Sequence, residues 1–129
     1  MNLWHRAEIL TTLDSKQQTC KVYFIDYGTT ADVGVRDIKY LKKDYSVLPA
    51  QAYRGCLDNI KPVRHKWSRD ASYSMLAMVY DVLVYAKVTD INYETRVVYM
   101  ILVDTNGEED LNINNALVQK GFATVHNVK

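Results

Sequence analysis

Three sets of residues in this 129-residue sequence could do chemistry. The first is basic: Lys61, Arg64, His65, Lys66 and Arg69 crowd around Trp67, and Lys39, Lys42 and Lys43 form a smaller cluster. Cations beside an aromatic face can hold single-stranded RNA, pairing with phosphates while a base stacks on the ring. The plainer reading, a charged surface around a structural Trp67, is favoured. The second set is aromatic. Ten of the fourteen aromatic residues are Tyr, whose flat apolar face and polar tip suit binding surfaces as well as strands. The third set could ligate or react. Cys20 and Cys56 have neither C-x-x-C nor zinc-ligand spacing and are expected to be buried free thiols. His65 and His126 stand without metal-like partners and are expected to be solvated. No metal and no cofactor is expected.

Short strands and turns must position these groups in the first half. Residues 3–12 and 19–26 are rich in strand formers, with a polar loop at 13–18 between them. In the second strand Val22 and Phe24 share one face and Tyr23 and Ile25 the other, so both faces should be covered, as in a barrel wall. Tyr27, Gly28 and Thr29 form a turn in which Gly28 is free to take positive φ. Residues 30–35 return as a third strand. The meander fits a small SH3-like barrel. Residues 36–49 read as a connector that still packs, through Ile38, Leu41, Val47 and Leu48, because a flexible linker would be rich in Gly, Ser or Pro.

The second half mixes strands with helices. Residues 52–58 can form a strand, which Pro62 would end. Ser68 is a candidate N-cap for a helix over 69–80, with Asp70 in the first turn and Ala71, Met75, Leu76 and Val79 at helical spacing. Residues 82–89 and 96–103 read as strands. Asn106-Gly107 is a hairpin signal leading to a short strand near Asp110 and Leu111. Asn112 can cap a helix over 113–120, which Gly121 ends as C′. Residues 122–125 would be a last strand.

Composition sets the outer bounds. Sixteen Lys and Arg against fifteen Asp and Glu give a net charge of +1, which excludes a whole-molecule electrostatic drive towards nucleic acid. A hydrophobic content of 48% argues against disorder. The apolar runs fall far short of the roughly 20 residues of a membrane span. No leader follows Met1, so a soluble intracellular domain and no membrane partner are expected.

The string Trp4-His5-Arg6-Ala7, followed by Val22-Tyr23-Phe24-Ile25-Asp26-Tyr27-Gly28-Thr29, resembles the Tudor signature, W-Y-R-A and then F-I-D-Y-G-N. Leu48-Pro49-Ala50-Gln51-Ala52 resembles the L-P-x-Q-A joint that follows the barrel in extended Tudor domains. Trp67-Ser68 before a helix, then Ile113-Asn114, Leu117-Val118 and Gly121-Phe122-Ala123, look like the staphylococcal-nuclease-like half of that family. The resemblance covers nearly the whole chain in the expected order. It implies a mainly β fold with a few helices (α+β): an SH3-like Tudor barrel joined to a partial OB-fold, staphylococcal-nuclease-like subdomain. The expected limits are 1–38 for the barrel core, 39–51 for the connector and 52–129 for the nuclease-like part. The family's first barrel strand precedes the tryptophan. The start at Met1 is therefore expected to be a boundary, or to be complemented by another segment.

The resemblance also implies a function. Family members bind symmetrically dimethylated arginine in an aromatic cage, and many serve the germline piRNA pathway, where they bind Arg-rich tails of Piwi-class Argonautes. A methylated guanidinium stays cationic but becomes bulkier and more apolar, so ring faces attract it by quadrupole and by contact. Carried onto this sequence, the cage positions are His5, where the family has an aromatic, Phe24, Tyr27, and Thr29, where the family has Asn. A Thr hydroxyl lacks the reach and two-ended hydrogen bonding of an amide. Protonation of His5 would set a second cation beside the ligand, so binding is expected to weaken on acidification. Asp26 and Gly28 are expected to order the loop, Asp26 through backbone N–H groups, and Trp4 to pack under the barrel. The implied partners are arginine-rich peptides of Piwi-class proteins, methylated or not, with other germ-granule proteins further candidates. The implied location is perinuclear cytoplasmic granules.

Two other functions compete. A nuclease would need a calcium-binding carboxylate cluster, a carboxylate base and two arginines. Glu108-Glu109-Asp110 directly follows the Asn106-Gly107 turn, and Arg54 and Arg96 lack motif context, so a solvated turn is favoured and no catalytic residue is expected. A scaffold whose altered cage binds unmethylated protein partners is the second, ahead of an RNA-binding module.

Overall fold

The computed structural model describes residues 3–11 and 14–127, so the expected strand end at Thr12 and loop start at Leu13 lie outside the described residues. The chain divides into two compact units, Met1–Arg54 and Gly55–Lys129.

The first unit is an antiparallel meander of β1 (Ala7–Ile9), β2 (Thr19–Phe24) and β3 (Thr30–Gly34), in that order across the sheet. β2 is central because it alternates: Cys20 and Val22 are buried while Lys21 between them is exposed. Register places Val22 opposite Ile9 and Ala31, and Cys20 opposite Val33. Of the two faces expected to be covered, that of Cys20 and Val22 is buried, and Tyr23 and Ile25 on the other are half-buried.

The connector folds into two 3-10 turns, Val35–Asp37 and Lys43–Ser46. Contrary to expectation it packs little. Ile38 is half-buried, but Leu41, Val47 and Leu48 are exposed. Hydrogen bonds to its carbonyls hold it instead, as the site below shows.

The second unit comprises β4 (Arg54–Leu57), β5 (Ile60–Pro62), α1 (Arg69–Val79), β6 (Tyr85–Asn92), β7 (Val97–Asp104), β8 (Leu111–Asn112), α2 (Ile113–Gln119) and β9 (Ala123–Val125). β7 is flanked by β4 and β6 and also pairs with β8, while β5 pairs antiparallel with β9. Both helices start on the expected caps: the Ser68 hydroxyl accepts from the Ala71 N–H at 3.0 Å, and the Asn112 amide oxygen from the Asn115 N–H at 3.0 Å. Gly121 follows α2 with φ +80°, the left-handed conformation of a C′ glycine.

The expected strand over 82–89 forms three residues later. After α1 the chain turns through Asp81 at φ +53°, and β6 then continues until the Asn92 side chain accepts from Glu94 and Thr95 N–H groups, closing the turn. Pro62 does not end β4; it lies in the separate strand β5, whose partner β9 meets it at Ala123. Leu76, expected on the buried stripe of α1, faces out.

The core of the second unit gathers around α2. Ile113 and Leu117 are completely buried, with Ala116, Leu102, Ile60 and Ala123 also buried and Met75, Met78 and Phe122 packed at the edge. Asn114 is buried among them with its oxygen and both of its N–H groups hydrogen-bonded. Its oxygen accepts from the Leu102 N–H at 3.1 Å, and its NH₂ donates to the carbonyls of Asp58 (2.9 Å) and Met100 (3.1 Å). Cys20 is buried as expected, but Cys56 is exposed, because alternation along β4 turns Leu57 inward and Cys56 out.

Candidate functional site

The turn between β2 and β3 is where the expected site residues meet. The Phe24 carbonyl accepts from the N–H groups of Tyr27 (3.2 Å) and Gly28 (2.8 Å), and the Phe24 N–H donates to the Thr29 carbonyl at 2.8 Å. Gly28 has φ +82°, a conformation that a side chain would strain. This tight reversal leaves the Tyr27 ring exposed while Phe24 stays half-buried at the end of β2.

His5, two residues ahead of β1, reaches both rings. Its imidazole lies 6.1 Å from Phe24 and 5.1 Å from Tyr27, centroid to centroid, with interplanar angles of 81° and 90°. Edge-to-face contact satisfies the ring quadrupoles. With the His5 plane nearly perpendicular to both neighbours, the three rings form a corner in which His5 and Tyr27 are exposed and Phe24 is half-buried. Thr29 enters this turn through its carbonyl, and its side chain is exposed.

An ion pair that no motif announces joins the two segments carrying the rings. Arg6 grips Asp26 with both arms of its guanidinium, Nε to Oδ2 at 2.8 Å and Nη2 to Oδ1 at 2.5 Å. Its remaining N–H groups donate to the carbonyls of Tyr45 (3.2 Å), Pro49 (3.0 Å) and Leu48. Asp26 also accepts from the Gln51 N–H at 3.1 Å, and the Ala52 N–H donates to the Ile25 carbonyl at 3.1 Å. Asp26, expected to order its own loop through backbone N–H groups, instead accepts from the N–H of Gln51 in the connector and is held mainly by Arg6. One guanidinium fastens the connector to the turn that carries Phe24 and Tyr27. The Arg6 hydrogen bond is the main cause holding the Asp26 carboxyl below its ordinary range, with the Gln51 N–H and the charge of His5 adding to it. Asp26 in turn raises the Arg6 guanidinium.

The other candidates contribute no ring to this corner, although the cavity that Trp4 and Lys39 edge is also lined by His5 and Phe24. Trp4, expected under the barrel, is 65% exposed, with the Lys39 ammonium 4.6 Å above its ring. Both edge an open cavity of about 610 Å³ whose floor includes Cys20, Val22, Val33 and Ile38. Glu108, Glu109 and Asp110 are exposed on the turn between β7 and β8. Among the described residues no group of three or more His, Cys, Asp or Glu could hold a metal ion, and no helix is long and apolar enough to cross a membrane.

Comparison with known proteins places this geometry. Residues 2–59 match the Tudor domain family. Tudor domain-containing protein 5 of Danio rerio is 30% identical over 122 residues, covering 95% of this chain, which spans 13% of that protein's length. The Papi extended Tudor domain of Drosophila melanogaster superposes with a TM-score of 0.84 at 26% identity, covering 95% of this chain and 66% of that one. The extended Tudor domain TD3 of mouse TDRD1, in complex with a MILI peptide containing dimethylarginine 45, superposes with a TM-score of 0.87 at 24% identity. The match covers 96% of this chain and 63% of that one. Residues 2–59 thus match the Tudor family, whose members are non-catalytic binding modules, and the chain as a whole has the fold of the extended Tudor domains.

Proposed function

We propose that this chain is an adaptor module that binds arginine-containing peptides and prefers symmetrically dimethylated arginine, with His5, Phe24 and Tyr27 as the ring surfaces and Thr29 at the rim. The observation that carries the reading is the convergence of three rings from two separate segments, held by the Arg6–Asp26 pair. Each well-placed ring contributes about 0.5–2 kcal/mol to a cation. The mouse TDRD1 domain of the same fold holds a MILI peptide containing dimethylarginine, and a Papi extended Tudor domain of Drosophila melanogaster holds a Piwi N-terminal peptide, which supports arginine-rich tails of Piwi-class proteins as the partner class; perinuclear germ granules as the location belong to the same proposal. The domain limits expected from sequence, 1–38, 39–51 and 52–129, belong to the same proposal.

His5 and Thr29 favour a second reading, in which the corner binds unmethylated protein partners. Calorimetric titration with one Arg-Gly peptide, unmodified and symmetrically dimethylated, separates the two. A preference for the methylated form that Tyr27→Ala removes supports the reader. Equal affinity for both forms, or no binding of either, sinks it in favour of the scaffold.

A further inference from the structure

We propose that a groove in the second unit, lined by Leu57, Trp67, Ala71, Ser72, Met75 and Leu117, is a docking site for an acidic peptide segment that inserts one large apolar side chain. The walls follow from the local folding. Trp67 immediately precedes the Ser68 cap, so it lies at the mouth of α1. Ala71, Ser72 and Met75 share one face of that helix. Leu57 ends β4, and Leu117 projects from α2. Five of these six residues are apolar, and the Ser72 hydroxyl already donates to the Ser68 carbonyl at 3.3 Å. The groove holds about 250 Å³. At about 30 Å³ per water, an apolar side chain entering it would displace several waters that find few polar partners.

The charge of the occupant follows from the approach to Trp67. Residues 61–69 contain Lys61, Arg64, Lys66 and Arg69, together with His65, and no carboxylate. All five of these side chains belong to exposed residues, and among the described residues none of them is held in an ion pair; the adjoining carboxylate is Asp70, beyond Arg69 at the start of α1, so positive charge predominates around Trp67. Arg64 and Lys66 lie within three residues of Trp67, hence within about 10 Å along the chain, close to the screening length at physiological salt. Carboxylates flanking an inserted side chain would meet them. A nucleic acid shares the charge, but Trp67 is the one aromatic wall of the groove. Its other sides are aliphatic, which suits a Leu or Phe side chain better than stacked bases that need ring faces and hydrogen-bond partners. The site is chemically opposite to the ring corner of the first unit, which suits a cation, and it stands independently of that reading.

The test is fluorescence anisotropy on the full chain with three labelled probes: the peptide Glu-Asp-Glu-Phe-Glu-Asp-Glu, the same peptide with Ser in place of Phe, and an oligo-uridine of about twelve nucleotides. Saturable binding of the Phe peptide is expected, about tenfold weaker for the Ser peptide and weaker at high salt. Arg64→Glu combined with Lys66→Glu is expected to weaken it about tenfold. Ser72→Phe, which fills the groove from an exposed position, is expected to do the same without lowering the melting temperature, and Ser72→Leu replaces it if the Phe variant melts early. Failure of the Phe peptide to saturate overturns the proposal. So does binding indifferent both to the Phe-to-Ser change and to filling at Ser72, which would mean charge attraction alone. Displacement of the peptide by oligo-uridine at lower concentration would assign the surface to nucleic acid instead.

Discussion

Arg6 decides the geometry of the ring corner without touching a ring in the way a cage residue would. Its fork meets Asp26 twice and three connector carbonyls besides, a set of acceptors that a single ammonium cannot reproduce. Arg6→Lys is therefore expected to keep the charge yet lower the melting temperature by several degrees, and to weaken arginine-peptide binding in calorimetry. The pH dependence has a definite sign. Asp26 is depressed in the folded state, chiefly by Arg6, so the stability it contributes is fully present above the ordinary carboxylate range and is lost as pH falls through its lowered folded value. Asp26→Asn should be less stable than the parent at neutral pH, and the gap should close on acidification; a gap constant from pH 7 to 3 in thermal melts would remove Asp26 from this role. At the rings themselves, Tyr27→Ala is expected to cost about tenfold in affinity for a dimethylated peptide, within the range of one cation–π contact, and His5→Tyr to strengthen binding, both read by calorimetric titration. His5, Phe24 and Tyr27 could be singled out in the sequence because they fall in two short motifs, at 4–7 and 22–29. The grip of Arg6 could not, since its partners lie 20 to 43 residues away and leave no periodic trace.

At the scale of elements, legibility followed the range of the interactions that define each boundary. The starts of α1 and α2 are set by one side chain meeting a backbone N–H three residues on, so Ser68 and Asn112 announced them locally. Gly121 did the same for an end. Strand limits depend on partners elsewhere in the chain: β6 was misplaced because the turn at Asp81 and the closing contacts of Asn92 outweigh its run of β-formers, and β5 was missed because β9 pairs with it from more than 60 residues away. The exposed Cys56 is an error of the same origin, since which face of β4 is buried depends on what packs against it. Ser68→Ala is expected to cost about 1 kcal/mol in chemical denaturation. Asn114→Ala should cost more, about 3 kcal/mol, because it strands a buried N–H of β7 and removes a donor to two carbonyls at once. Equal effects of the two substitutions would mean that the Asn114 network contributes no more than a cap.

Across the whole molecule, the two units differ in how much apolar surface they bury, and this sets how each should open. Among the described residues the first unit buries Cys20 and Val22 and otherwise relies on short ladders and the Arg6 network, whereas the second buries Ile60, Ala71, Leu102, Ile113, Ala116, Leu117 and Ala123. Local opening is easiest where buried apolar contact is sparse and backbone hydrogen bonds are open to solvent. Native-state hydrogen exchange should therefore show the amides of β1 and β3 exchanging before those of β7 and α2. Central β2 should be the slowest element of the first unit, because it is paired on both sides. Such an order has a consequence for binding. A peptide that engages His5 and Tyr27 tightens the unit with the least core, so a bound dimethylated peptide should slow exchange in β1–β3 and leave β7 and α2 unchanged. An acidic peptide in the α1–α2 groove should do the reverse. Protection that rises equally in both units with either peptide would mean that the chain opens as one cooperative body, and that burial within each unit does not govern its stability.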